Sequence, residues 1–160
     1  MAEVERTEEL ATLRSVLLEH GLRAGLDYLN RRTAYRFTGI YRYDGDTLRN
    51  IALFDRWSPG AGQGADAPMQ ETFCAIVRDG GEWLEVEHGP NDARFPWMQN
   101  NDVVCYCGAL IRDEAGEPFG TICHFDVQRC QPARSEVDLL HAAGPLLYAE
   151  LRRVGESLPA

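Results

Sequence analysis

The sequence predicts an α+β domain: one antiparallel β-sheet with the N- and C-terminal helices packed on a single face. Three observations predict it. Helical periodicity marks both ends of the chain. Two strand pairs joined by tight turns lie between them. A mixed stretch of short elements separates the two pairs. Of the common layer architectures, an antiparallel sheet with segregated helices suits this order best.

The elements follow in order. Leu10, Leu13, Val16 and Leu17 recur at helical spacing, which predicts a helix over about 4–20 that stops at Gly21. Leu22, Leu26 and Leu29 mark one side of a second helix ending at Asn30-Arg31-Arg32. From Thr33 to Tyr43 the chain is rich in β-formers. Asp44-Gly45-Asp46 supplies a hairpin turn, and Thr47 to Arg56 returns with Leu48, Ile51, Leu53 and Phe54. Residues 58–68 hold Gly60, Gly62, Gly64 and two prolines, the composition of a long loop or lid. The glycine spacing is wrong for a dinucleotide loop, and no helix follows directly.

A short helix is expected over about 70–77, closed by Gly80-Gly81, then a strand at Trp83–Val86. Asn91-Asp92 reads as the N-cap of a helix over 93–98. Two long strands, Val103–Ile111 and Phe119–Val127, flank the turn Asp113–Pro118. Ser135 caps a last helix in which Val137, Leu140, Gly144, Leu147, Leu151 and Val154 alternate at three and four, a coiled-coil seam interrupted by Pro145.

Composition narrows the function. The 160 residues, 44% apolar and 26% charged, suit one globular domain over 1–160, with an N-terminal helix and a core over about 21–153. No window approaches a membrane span, and the acidic start lacks an apolar leader, so a cytoplasmic location is expected. A net charge of -9 argues against nucleic-acid partners. All sixteen basic residues are arginine, so lysine Schiff-base and Walker-lysine chemistry are excluded.

Cysteines stand at 74, 105, 107, 123 and 130, without a Cys-x-x-Cys motif, and free thiols are the expectation. Cys105 and Cys107 are two apart on a strand and share a face. Across the hairpin, Cys107 meets Cys123 or His124, and one residue of register decides which. Two readings stand side by side: small buried hydrophobes, or a thiol cluster that senses redox state or holds a soft metal. Cys123 and His124 point to opposite faces and form no dyad. No Ser-His-Asp constellation has local motif support. Arg56 and Arg94 are candidate anchors for an anion, or partners in structural ion pairs.

Tyr106-x-Gly108-Ala109-Leu110, Asp113-x-x-Gly116 and Phe119-Gly120-Thr121-Ile122-Cys123-x-Phe125-Asp126 resemble the C-terminal half of a GAF domain. Glu71-Thr72-Phe73-Cys74 and Asn91-Asp92-x-Arg94 resemble upstream segments of bacterial members. The resemblance covers about residues 20–153. It implies a central antiparallel sheet with helices on one side, a pocket on the other roofed by the middle helices and loops, and pairing through the first and last helices. The short helix carrying Cys74 would line that pocket.

Subclasses separate residue by residue. The cyclic-nucleotide signature of phosphodiesterase GAF domains requires a lysine, which is absent, and only Phe125-Asp126 matches it in part. Cys123-His124 has the letters of a bilin-binding pair but lies in the last strand. Free methionine-sulfoxide reductases use three cysteines. Cys74 falls near one, whereas Met98-Gln99-Asn100-Asn101 stands where the nucleophile belongs.

Aromatics concentrate mid-chain, as in apolar small-ligand pockets. The expected ligand-binding set is Phe54, Thr72, Phe73, Cys74, Trp97, Tyr106 and His124, with no metal and no cofactor assigned. The leading expectation is a homodimeric small-molecule sensor without chemistry of its own, acting on a separate signalling protein. The alternatives are a thiol-dependent redox enzyme using Cys74, Cys107 and Cys123, resembling a free methionine-sulfoxide reductase, and a ligand-free dimerisation module.

Overall fold

The structure, a computed structural model, describes residues 2–60, 63–98, 101–130 and 135–156. Helix α1 (Ala2–His20) sends Leu13 and Leu17 into the core. Gly21 ends it at φ 92°, a left-handed conformation that glycine adopts without a Cβ penalty. Helix α2 (Leu22–Arg31) packs closely on α1 because Gly25 has no side chain, and a Cβ there would lie 2.5 Å from Leu17 Cδ2.

Strands β1 (Phe37–Asp44) and β2 (Thr47–Asp55) form the first hairpin, turning at Gly45 with φ 59°. The expected loop ends in a two-residue strand, β3 (Ala67–Pro68), on the sheet edge, where a proline costs no ladder bond. Asn50 ties the loop down. Its Oδ1 accepts from Gly64 N at 2.8 Å, and its own N–H donates to Asp66 Oδ1 at 2.8 Å. Residues 61–62 of this loop lie outside the described residues.

A 3-10 turn at Met69–Glu71 precedes α3 (Phe73–Gly80), so the helix expected over 70–77 begins later. The reason is its cap, since Thr72 Oγ1 accepts from Ala75 N. Strand β4 (Trp83–Val86) follows. The helix expected over 93–98 is replaced by 3-10 turns at Gly89–Asn91 and Pro96–Met98. Asp92 caps only its local turn, accepting from Arg94 N, and Pro96 supplies no N–H to continue a helix. Strands β5 (Cys105–Arg112) and β6 (Pro118–Asp126) form the second hairpin, turning at Gly116 with φ 81°. Helix α4 (Val137–Glu156) closes the chain and runs through Pro145, whose side chain is exposed.

The sheet order is β3-β2-β1-β6-β5-β4, antiparallel throughout. Helices α1, α2 and α4 cover one face, with Ile40, Ile111, Ile122 and Leu140 among the core residues between. Helix α3 and the 3-10 turns cover the other. The α4 residues Val137, Leu140 and Leu147 are buried in this chain's own core. Gly144 lies against β5, where a Cβ would sit 3.4 Å from Leu110 O. The first half of the expected coiled-coil seam is therefore used within the chain.

Five free thiols were the sequence expectation, and the structure corrects it: Cys105 and Cys130 form a disulfide, leaving Cys74, Cys107 and Cys123 free. Cys105 pairs with Asp126 across the β5–β6 ladder, so the segment leaving β6 needs only four residues to bring Cys130 back to it.

Gly120 allows the central strands to meet. A Cβ there would stand 1.9 Å from the Tyr41 carbonyl oxygen, a backbone atom that cannot swing away. Gly120→Ala is expected to cost about 3 kcal/mol or more. Gly60→Ala, which would meet nothing within 4 Å, should stay within about 0.5 kcal/mol. Urea unfolding of both variants checks the contrast.

Candidate functional site: a cavity over a glycine row

The register of three strands shapes the face that α3 covers. Cys123 on β6 pairs with Gly39 on β1 and Gly108 on β5. The next row on the same face is Phe37, Phe125 and Tyr106, and the row beyond is Tyr41, Thr121 and Leu110. Aromatic rows thus flank a row whose two outer members have no side chain. A cavity of about 320 Å³ opens on this face, with Cys123 of this row in its lining. Tyr41, Phe73, Tyr106 and Phe125 line it, with Cys74 and Cys123 among the buried lining groups.

Glycine also bends the tyrosines over. A Cβ at Gly108 would stand 2.2 Å from the Tyr106 hydroxyl oxygen, so the ring lies back along its own strand. That posture brings the Tyr106 hydroxyl to 3.2 Å from Cys74 Sγ. Thr121 Oγ1 donates to the same sulfur at 3.1 Å, and Tyr43 donates its hydroxyl to the Cys74 carbonyl at 2.8 Å. Burial opposes ionisation of Cys74, but hydrogen bonds from Cys123, Thr121 and Tyr106 outweigh it and hold the thiol below its ordinary pKa. Cys123 is pushed well up, by burial first and then by Cys74. Burial likewise keeps Tyr41, Tyr43 and Tyr106 protonated.

The mouth is acidic. Glu71 and Asp102 border it beside Asn101, Ala65 and Ala67, and among the described residues no arginine or histidine lines the cavity. Residues 99–100, part of the segment read as lacking the nucleophilic cysteine of free methionine-sulfoxide reductases, lie outside the described residues.

Of the expected ligand-binding residues, Thr72, Phe73, Cys74 and Tyr106 meet at this cavity. Phe54 does not. It is buried on the helix-covered face, because β2 sends that side chain toward the helix-side core. Trp97 is 65% exposed and leans edge-on against Phe95, outside the lining, because the short turn carrying it points outward. His124 is also on the helix-covered face, by the alternation that puts Cys123 in the cavity. It pairs with Cys107 across the ladder, stacks on Tyr35 and shares a 2.6 Å hydrogen bond with Thr38 Oγ1.

Among the redox candidates, Cys107 and Cys123 therefore face opposite sides of the sheet, and the thiols that meet are Cys74 and Cys123. Burial, then Glu85, pushes the Cys107 thiol up. Arg56 is engaged by Asn30 and by Thr33 O, and Arg94 by Asp92 and Glu85 O, so both have structural partners. Among the described residues, no group of three or more His, Cys, Asp or Glu is placed to hold a metal, and no helix is long and apolar enough to cross a membrane. Tyr41, Cys123 and Phe125 belong to the cavity but were missing from the expected ligand-binding set. The Gly39-x-Tyr41 spacing, matching Tyr106-x-Gly108 in reverse, was the available signal.

No protein-family model matches the chain, and no curated protein matches it by sequence. Solved structures do match in shape. The GAF domain of a phosphoenolpyruvate-protein phosphotransferase from Acinetobacter superposes with a TM-score of 0.70 at 12% identity, covering 96% of each chain. A GAF domain of the same kind from Coxiella burnetii gives 0.66 at 16%, covering 96% of this chain and 97% of the other. The free methionine-R-sulfoxide reductase of Neisseria meningitidis, solved with its substrate, gives 0.68 at 14%, covering 96% and 92%. The chain has a GAF-domain fold.

His124 gives a pH signature to the helix-covered face. Burial first, then the charges of Arg32 and Arg56, hold its pKa at about 3, against an ordinary 6.5. The unfolded chain therefore takes up this proton first as pH falls. The stability involved is complete above the ordinary value and is lost below it at about 1.4 kcal/mol per pH unit. Urea unfolding between pH 7 and pH 4.5 is expected to show that slope, and His124→Gln to flatten it. An unchanged slope in the variant would assign the loss to other groups.

Proposed function

We propose that this chain is a small-molecule-binding sensory module on the GAF fold. The observation that supports it is the aromatic-walled cavity over the glycine row, whose size falls in the range of small-ligand sites. The walls suit a flat or apolar body. The carboxylates of Glu71 and Asp102 at the mouth, with no basic lining residue among those described, suit a neutral or cationic polar end and disfavour a phosphate or carboxylate.

Ala65, Ala67 and the 3-10 turn before α3 border the opening, so a ligand that binds two arrangements of this rim differently changes the surface offered to a separate signalling protein. Pairing of two copies is read through α1 and α4. Leu18 stands 63% exposed there, beside a shallow groove with Leu146 and Ala149.

One observation favours the alternative of a thiol-dependent redox enzyme: Cys74 lines the cavity with a lowered pKa. Sustained turnover of free methionine sulfoxide with a dithiol reductant would establish that reading.

Gently purified chain is expected to show extra small-molecule mass by native mass spectrometry that disappears on denaturation. Ala65→Trp, which fills the rim from an exposed position, should abolish it. Bare mass in both proteins would overturn the sensory reading.

A further inference from the structure

Cys123 and Cys74 are the two free thiols that line the cavity, side by side in one buried cluster. We propose that Cys74 and Cys123 are a peroxide-reactive pair that closes to an intramolecular disulfide across the floor of the cavity. Three features of the geometry point there.

The first is contact. Cys74 and Cys123 belong to one buried cluster and line one cavity, and Thr121, two residues before Cys123 on the same face of β6, reaches Cys74 Sγ at 3.1 Å. Cys74 descends from α3, and Cys123 rises from β6 between its two glycines.

The second is the surroundings of Cys74. A neutral thiol is a weak acceptor, yet the Thr121 hydroxyl donates to this sulfur and the Tyr106 hydroxyl lies 3.2 Å from it. The first turn of α3 adds the positive end of a helix. These donors suit a thiolate. Cys123, pushed up, keeps its proton and suits the resolving role.

The third is access. Both residues line the cavity, whereas Cys107 lies in the core between the sheet and the helices.

The chemistry balances with a hydroperoxide as the named oxidant. The Cys74 thiolate attacks one peroxide oxygen, the O–O bond breaks, and the departing alkoxide or hydroxide takes a proton from water. Cys74 is then a sulfenic acid. The Cys123 sulfur attacks that sulfur, the S–S bond forms and the S–O bond breaks. The Cys123 proton leaves with the hydroxide as water. The two sulfurs together give up two electrons and the peroxide is reduced. The new bond ties the start of α3 to the central strand, so the reduced and oxidised chains offer different cavity floors. Only the two thiols and the opening are needed, so the pairing does not depend on a ligand.

The test uses the full chain, reduced, desalted and exposed to hydrogen peroxide, followed by non-reducing peptide mapping. The expected product is a Cys74–Cys123 cross-link, mapped separately from Cys105–Cys130, each disulfide formed lowering the intact mass by two hydrogens. In Cys123→Ser the reaction should stop at a Cys74 sulfenic acid that dimedone traps. Tyr106→Phe and Thr121→Val keep both thiols, and each should slow oxidation about tenfold by removing one donor, equivalent to about one pKa unit. If the cross-link is absent from folded protein, or Cys107 is the thiol oxidised, the proposal is overturned. Wild-type rates in both donor variants would overturn it equally, even if Cys123→Ser does not fold.

Discussion

Every placement on the cavity face rests on the register of β6 between β1 and β5. Gly120 lets β6 approach the Tyr41 carbonyl, and from there Thr121, Cys123 and Phe125 face the cavity while Ile122 and His124 face the helices. A slip of one residue would exchange those sets. It would bring the His124 imidazole into the cavity and bury Cys123 against α4. The helix-covered face opposes such a slip. Asn30, fully buried at the end of α2, donates to Thr38 Oγ1 at 2.9 Å and to Tyr35 O at 3.1 Å, and accepts from Arg56 Nε at 3.1 Å. Thr38 in turn holds His124. A slipped β6 would take His124 from Thr38 Oγ1 and break that buried hydrogen bond, at a cost of about 1–3 kcal/mol.

The two faces of the sheet handle polarity differently. The helix-covered face engages its polar groups in networks that end in ion pairs, such as Arg32 with Glu136 at 3.1 Å. The cavity face gathers hydroxyls and thiols around one sulfur. A closed hydrogen-bond network rigidifies, whereas a polarised sulfur open to a cavity is available to chemistry. The division follows from what covers each face. Three long helices seal one, while the eight-residue α3 and short 3-10 turns only partly roof the other.

Much of this was legible in the chain. Gly21, Gly45 and Gly116 were read as stops and turns, and each has the positive φ that a turn or helix end requires. Both hairpins follow from β-formers flanking Asp-Gly and Gly-containing turns. Thr72, Phe73, Cys74 and Tyr106 were expected at the cavity because the resemblance places the short middle helix over a pocket and because aromatics concentrate mid-chain. Trp97 and the 93–98 helix were misread because an apolar, well-capped hexapeptide looks helical until Pro96 and the burial of Phe95 are weighed together. Phe54 and His124 were misplaced because alternation tells which residues share a face, but not which face meets the helices. The Cys105–Cys130 bond was not visible because nothing in the local sequence shows that the segment after β6 turns back on the start of β5.

The sequence by itself determined the periodicities, the turns and the pairs of residues that share a face. Those are set by backbone sterics and by side-chain alternation within a few residues. It also excluded lysine chemistry, and its charge argued against nucleic-acid partners. Tertiary structure decided which face became the cavity, which cysteines met and which helix surface was consumed. Those outcomes depend on strands far apart in the chain. Gly39 and Gly108 stand on either side of Cys123 only once β1, β6 and β5 lie side by side, and there the missing Cβ atoms leave room for the Tyr41 and Tyr106 rings that wall the cavity.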